Sequence, residues 1–206
     1  MSKAPSSDVA FTPAVKRVQE TRGSRDTYAR IERDRGGFHT DVDDDLRAFL
    51  ADIDTAYLAT ASADGQPYVQ HRGGPRGFIR ALASPKNTLG FTDLSGNKQY
   101  VSTGNVSENA RVCLFLMDYQ EKRRVKVWGR ARIVSLADAP AALLDALDVG
   151  DEGKAEQIVL IDVDAWDINC SQHIPHKLNA ADVAPVIEHL RARVAELEAQ
   201  LRRGAK

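Results

Sequence analysis

Residues 111–134 read RVCLFLMDYQEKRRVKVWGRARIV, and this stretch decides the fold. RVCLFLMD (111–118) and RRVKVWGRARIV (123–134) are strands, the second alternating around Val125 and Val127 and ending on Ile133-Val134. Upstream, TAYLATAS (55–62) and QPYVQHR (66–72) flank Ala63-Asp64-Gly65, where Asp-Gly signals a hairpin. GFIRALA (77–83) and TLGFTD (88–93) follow as strands around a Pro85-Lys86-Asn87 turn, and KQYVSTGNVSEN (98–109) reads as a short helix. Downstream, a helix near 138–148 precedes a final strand, EQIVLIDVDAWDI (156–168). About six strands with helices at the edges describe a closed or sandwich-like β core in an α+β protein.

The flanks are helical. Thr12-Pro13 is an N-cap and N1 pair, and GSRDTYARIERDRGG (23–37) is a short helix closed by Gly36 and Gly37. DVDDDLRAFLADI (41–53) opens with acids that suit a helix N-terminus and carries Leu46, Phe49, Leu50 and Ile53 on one face. Capping explains the Asp41, Asp43, Asp44, Asp45 cluster more simply than a metal ion does. From Ala180 to Leu201, apolar residues fall at Val183, Val186, Ile187, Leu190, Val194, Leu197 and Leu201, the later ones spaced like a heptad seam. The expected organisation is an N-terminal helical extension (1–44), a central domain (45–178) and a C-terminal helix (179–206), read as a dimer arm with packing on its own barrel as the alternative.

The composition narrows the function. The 206 residues carry 28 Lys+Arg and 29 Asp+Glu, and 43% are hydrophobic, enough for a core and against wholesale disorder. No apolar run approaches the roughly 20 residues of a membrane span, and the amino terminus lacks an apolar signal stretch. The expectation is a soluble, cytoplasmic protein with no membrane partner. Two cysteines, Cys113 and Cys170, make neither a disulfide scaffold nor a Cys-rich zinc site. Cys113 reads as core; Cys170 is either a small buried residue or a redox thiol. Residues 70–132 hold 12 basic and four acidic residues in a near-neutral chain. That concentration suits a confined anion, phosphate above all, and not a nucleic acid; solvent-facing strand positions are the plainer alternative.

Motifs for known chemistries (GxSxG, HExxH, P-loop, GxGxxG) are absent from the sequence. His173 and His176 are separated by Pro175 and do not form a helical ligand pair, so no metal is expected. Phosphate-compatible groups remain: GGPRG (73–77), Ser95-Gly96-Asn97-Lys98 just before a helix, and Lys122-Arg123-Arg124.

The runs TAYLATASADGQPYVQHRGG, LGFTDLSGNKQYVSTGNVSENARVCLFLMD and EKRRVKVWGRARIV together resemble the pyridoxamine 5′-phosphate oxidase-related family, over about residues 45–135, with an echo at WDINCSQHIP. The resemblance implies a six-stranded antiparallel split β-barrel with peripheral helices and the long C-terminal helix. It implies FMN as cofactor and a homodimer with shared cofactor sites. Gln70, His71 and Arg72 would lie along the flavin, Thr92, Asp93 and Ser95 beside its ring or ribityl chain, and Asn97 and Lys98 at the phosphate. Arg124 falls where the oxidases tend to have a glutamine facing the cofactor, and Trp128 or the Asn169–His173 loop would cover the partner chain's flavin. Separately from the resemblance, His173 is the candidate catalytic acid or base because imidazole titrates near neutrality, a plain surface histidine being the alternative. The chain departs from true pyridoxamine phosphate oxidases at Asn169–Pro175, where those carry Arg and His, and at Gln70–Gly77, where those carry Arg-x-Val-Leu-Leu-Lys. The implied activity is therefore that of an FMN-dependent oxidoreductase acting on another small molecule, with NAD(P)H or oxygen as redox partner. The alternatives are a non-catalytic flavin, deazaflavin or haem-binding module, or a dimeric interaction protein with an empty barrel.

Overall fold

The computed structural model describes residues 4–149, 154–169 and 171–204. Two compact units result: residues 1–117 with 124–170, and residues 118–123 with 171–206. The first begins with a 3-10 turn (Ser6–Val9), followed by helices α1 (Pro13–Thr21) and α2 (Arg25–Arg35). Thr12 caps α1 by accepting from Val15 N, and Gly36 ends α2 in the left-handed region. Helix α3 (Asp44–Ala51) is capped by the Asp43 side chain, which accepts from Leu46 N, so these acids serve the helix terminus. Its Leu46, Phe49 and Leu50 are buried.

Seven strands follow: β1 (Thr55–Ala61), β2 (Pro67–Gly73), β3 (Arg80–Ala81), β4 (Thr88–Leu94), β5 (Arg111–Asp118), β6 (Arg123–Ser135) and β7 (Ala155–Asn169). Helix α4 (Val101–Glu108) joins β4 to β5, and α5 (Ala141–Leu147) joins β6 to β7. They form one antiparallel sheet in the order β2-β1-β5-β6-β7-β4-β3. Strict alternation on β1, β5 and β6 sends Leu58, Leu114, Leu116, Val125 and Val127 into the core, against α3 and Phe91. In contrast, β4 is buried continuously over Thr88–Phe91 and β7 over Ile158–Ile161, because both faces of that edge are covered. Val159 and Ile161 join the main core, while Ile158 and Leu160 pack with Leu82 and Leu147 in a second, smaller one.

β6 and β7 run together from Arg124↔Asn169 to Ser135↔Gln157, with a bulge at Trp128/Gly129. A Cβ on Gly129 would lie 2.4 Å from the Asp162 carbonyl oxygen, so the bulge needs glycine. The segment before α3 is clasped to β7. His39 and Trp166 exchange both backbone hydrogen bonds (3.1 and 2.9 Å), and the buried indole donates Nε1–H to the Asp41 carbonyl at 2.7 Å.

Three sequence expectations are corrected. The sheet has seven strands rather than six and is not closed. GFIRALA contributes only the two residues of β3, because a left-handed Gly77 and the Phe78 N to Pro75 O turn keep its first half out of the ladder. Cys113 is half-buried on the opposite face from Val112 and Leu114, not in the core, and burial still pushes its thiol pKa up. Cys170 lies outside the described residues. In the second unit, helix α6 (Ala180–Gly204) runs 25 residues with Pro185 inside it. No described helix is long and apolar enough to cross a membrane.

Candidate functional site

β2 is an edge strand and β4 lies at the far end of the strand order, so no backbone hydrogen bonds join them. Their side chains nevertheless meet. Arg72 Nε on β2 stands 3.2 Å from Asp93 Oδ1 on β4, both groups being 11–13% exposed. The sheet therefore curls until its two ends touch through side chains, leaving a split. On β2, alternation turns Gln70 and Arg72 inward while Val69 and His71 are exposed. His71 meets Tyr57 edge-on at 5.9 Å and borders the cavity.

Helix α4 is fixed across this split by polar contacts. Ser102 Oγ donates to Gln70 Oε1 (2.8 Å), and Asn105 Nδ2 donates to Thr60 Oγ1 on β1 (3.0 Å). Gln157 on β7 donates Nε2–H to both Asp93 Oδ2 (3.0 Å) and Thr103 Oγ1 (2.9 Å), so one amide sets the carboxylate and the helix together. The loop ahead of α4 is held by Ser95 N donating to the Lys154 carbonyl (2.7 Å) and by Asn97 Oδ1 accepting from Gln99 N (3.2 Å). Lys98 and Tyr100 both adopt left-handed backbone. Tyr100 donates to Glu156 Oε1 at 2.5 Å, which raises its phenol pKa. Tyr100 occupies the N-cap yet offers no side-chain acceptor, so the first-turn N–H groups of α4 keep their positive end open.

Three adjoining cavities fill the split. One at the α4 end is walled by Gln70, Arg72, Asp93, Asn97, Lys98 and Ser102. It shares Arg72, Asp93 and Gly96 with a space of about 150 Å³ that reaches Thr92 and Phe91. That space shares Thr92, Phe78 and Leu94 with a larger cavity of about 390 Å³ between Arg76, Arg80, Leu147 and Lys154. The last falls within the roughly 300–1,000 Å³ usual for small-molecule pockets.

Two residues lining this groove carry a buried polar atom with no aligned hydrogen-bond partner among the described residues: Arg72 Nε, which lies 3.2 Å from Asp93 Oδ1 as an ion pair, and Thr92 Oγ1. Leaving such groups unsatisfied costs about 1–3 kcal/mol each, which a ligand oxygen would offset. With Lys98 exposed beside the open α4 terminus, the donor set fits a phosphate at one end and hydrogen-bond acceptors along the middle.

The groove thus gathers Gln70, His71, Arg72, Thr92, Asp93, Asn97 and Lys98, with Ser95 in the adjoining loop. It does not gather Arg124 or Trp128 from the same chain. Thr92 is level with Ile158 on β7, whereas Trp128 is level with Ala165 and Arg124 with Asn169. Those offsets correspond to about 23 and 36 Å along the strand. Trp128 stacks instead on Phe38 (5.3 Å, 7°), and Arg124 Nε is a third buried donor without a partner among the described residues. Nearby, burial raises the Asp167 pKa, with Lys126 and His39 opposing it. His173 is exposed, has left-handed backbone and belongs to the second unit.

Sequence reasoning missed Gln157, Ser102, Thr103, Tyr100 and Glu156. The one available signal was Glu156-Gln157 directly before the apolar run IVLI, two polar residues entering a buried strand.

An open antiparallel sheet curled around a polar seam defines a split-barrel protein. Residues 42–170, more than half of the chain, match the family model described as pyridoxamine 5′-phosphate oxidase, and the chain belongs to that family. Among solved structures it is similar to HupZ of Group A Streptococcus (17% identity, 66% of this chain and 98% of that one, TM-score 0.47). General Stress Protein 26 of Bacillus anthracis is also similar (14%, 59% and 88%, TM-score 0.41). So is HutZ, the haem storage protein of Vibrio cholerae (11%, 62% and 94%, TM-score 0.44). Among curated proteins, none matches the chain.

Proposed function

We propose that the groove between β2, β4 and the N-terminus of α4 binds FMN, and that the protein is a homodimeric oxidoreductase acting on a small molecule with NAD(P)H or oxygen as redox partner. The observation that carries this reading is a groove lined by Arg72 and Thr92, whose Nε and Oγ1 lack an aligned partner among the described residues, and ending on a helix terminus without a side-chain cap. Bound FMN supplies hydride or electron transfer through its ring. The chain's own part is to hold and shield it. Arg72, Lys98 and the α4 N–H groups neutralise the phosphate, and Asp93, steadied by Gln157, keeps the Arg72 guanidinium in the seam. Thr92 hydrogen-bonds the ring or ribityl oxygens, while Phe78 and Leu94 exclude water from the wider cavity. In this reading Arg124 and Trp128 act on the groove of a second copy, where Arg124 Nε finds an acceptor.

The absorption spectrum of the purified protein, with release and identification of any chromophore, tests the reading. Flavin bands that bleach with NAD(P)H and return in air support the oxidoreductase. Flavin bands that do not bleach leave a binding module, and a haem Soret band moves the groove to a different cofactor. A colourless protein that fails to take up added FMN removes the assignment.

A further inference from the structure

Helix α6 presents Val183, Ile187, Leu190, Val194, Leu197 and Leu201 at intervals of four, three, four, three and four residues. This is an uninterrupted heptad seam, with Ile187, Val194 and Leu201 at its a positions and Val183, Leu190 and Leu197 at d. The stripe is uncovered: Leu190 is 57% exposed, Val194 55% and Leu201 74%. Pro185 falls at an f position, on the side away from the seam, so its missing N–H does not interrupt the stripe.

We propose that this seam pairs with the same helix of a second copy as a parallel, in-register, two-stranded coiled coil. Two features commit the seam to that occupant. First, β-branched Ile187 and Val194 at a with Leu190 and Leu197 at d is the combination that favours two parallel strands. Second, the flanking charges choose the direction. The e positions are Arg191 and Glu198, and the g position between them is Arg193. In a parallel pair, Arg193 faces the partner's Glu198 across the seam, and the symmetry makes that contact twice. An antiparallel pair in full overlap, with Val194 opposite the partner's Leu190, sets Arg191 against the partner's Arg191 and Arg193 against the partner's Arg193. Shifting the antiparallel register by one heptad relieves the repulsion but costs two of the six seam layers, stranding either Val183 and Ile187 or Leu197 and Leu201. Within one helix, Arg193 now pairs with Glu196 (2.6 Å) and Glu198 with Arg202 (3.8 Å). Such exposed intrahelical pairs exchange for interhelical ones at little cost.

The seam spans under three heptads, short for a free peptide but sufficient when a second contact holds two copies together. The inference does not depend on any cofactor. It is tested in the full-length protein carrying Cys170→Ser, by adding Leu190→Cys in one variant and Ala192→Cys, on the outer face, in another. Parallel pairing brings the two 190 positions within disulfide reach, so mild oxidation makes a reducible covalent dimer the major species for Leu190→Cys and a minor one for Ala192→Cys. Arg193→Glu lowers the Leu190→Cys yield, and adding Glu198→Arg restores it. Equal yields at 190 and 192 overturn the pairing. Cross-linking of Leu190→Cys only to a Val194→Cys chain overturns its direction. Flavin content is unchanged throughout, which keeps failure here distinct from failure of the FMN site.

Discussion

Replacing Arg72 by methionine together with Asp93→Asn separates ligand binding from support of the fold. Arg72→Met alone would strand the Asp93 carboxylate in the seam, whereas asparagine still accepts from Gln157 and carries no charge. The Arg72 guanidinium is 11% exposed and its Nε has no acceptor, so a phosphate would meet a largely desolvated cation. A charge-assisted hydrogen bond of that kind contributes about 1.5–3 kcal/mol. At about 1.4 kcal/mol per decade, that is roughly 10- to 150-fold in Kd. Lys98 is exposed and keeps its water, so its ion pair with a bound phosphate would be a solvated one worth about 0–1 kcal/mol, and Lys98→Met costs about fivefold at most. Lys98→Glu adds repulsion at the open α4 terminus and loses more than Lys98→Met. The assay is titration of FMN by quenching of its fluorescence, with thermal unfolding run in parallel. A folded Arg72→Met/Asp93→Asn protein that binds FMN as tightly as the parent, or a larger loss from Lys98→Met than from the double variant, would refute the assignment of the buried arginine.

Other expectations concern stability. Gly129→Ala puts a methyl 2.4 Å from the Asp162 carbonyl oxygen and should destabilise by about 1–3 kcal/mol in chemical denaturation, through strain at the bulge. Trp166→Phe removes the indole donor from the Asp41 carbonyl inside the core, with an expected loss of about 1–3 kcal/mol; an unchanged midpoint would show that water replaces the donor. Glu32 accepts from Arg25 and from Ser7 Oγ, and the Arg25 hydrogen bond is the main cause of its lowered pKa. A carboxylate lowered in the folded state stabilises above its unfolded pKa, near ~4.3, and loses that contribution as pH falls through the folded value. Glu32→Gln should therefore melt lower than the parent at neutral pH, with the gap closing in acid.

The strands were legible where one face is buried and the other is not. Val125 and Val127 alternate with half-buried partners, and the Asp64-Gly65 turn marks the first hairpin. Reading failed where the backbone left regular geometry. GFIRALA has strand composition throughout, but the left-handed Gly77 withdraws its first half, so Ile79 is buried without joining the ladder. KQY has helical neighbours, yet left-handed backbone at Lys98 and Tyr100 delays α4 until Val101. Within the groove, cations and a Gly-Asn-Lys turn stand out in the chain. Gln157 lies 59 residues beyond Lys98, and nothing local says that its amide ends between Asp93 and Thr103. That contact exists only because β7 pairs with β4, a long-range fact that local pattern does not carry.

The seam between β2 and β4 gives the protein an edge with unusual isotopic behaviour. β2 pairs with β1 alone, so every second amide along Pro67–Gly73 points toward side chains rather than a neighbouring backbone. Deuterium should enter those positions quickly and the intervening ones slowly, a sawtooth of protection along a single strand. Occupancy of the groove would be recorded as slower exchange on the inward teeth alone, giving a residue-by-residue report of what sits in the split without any chromophore.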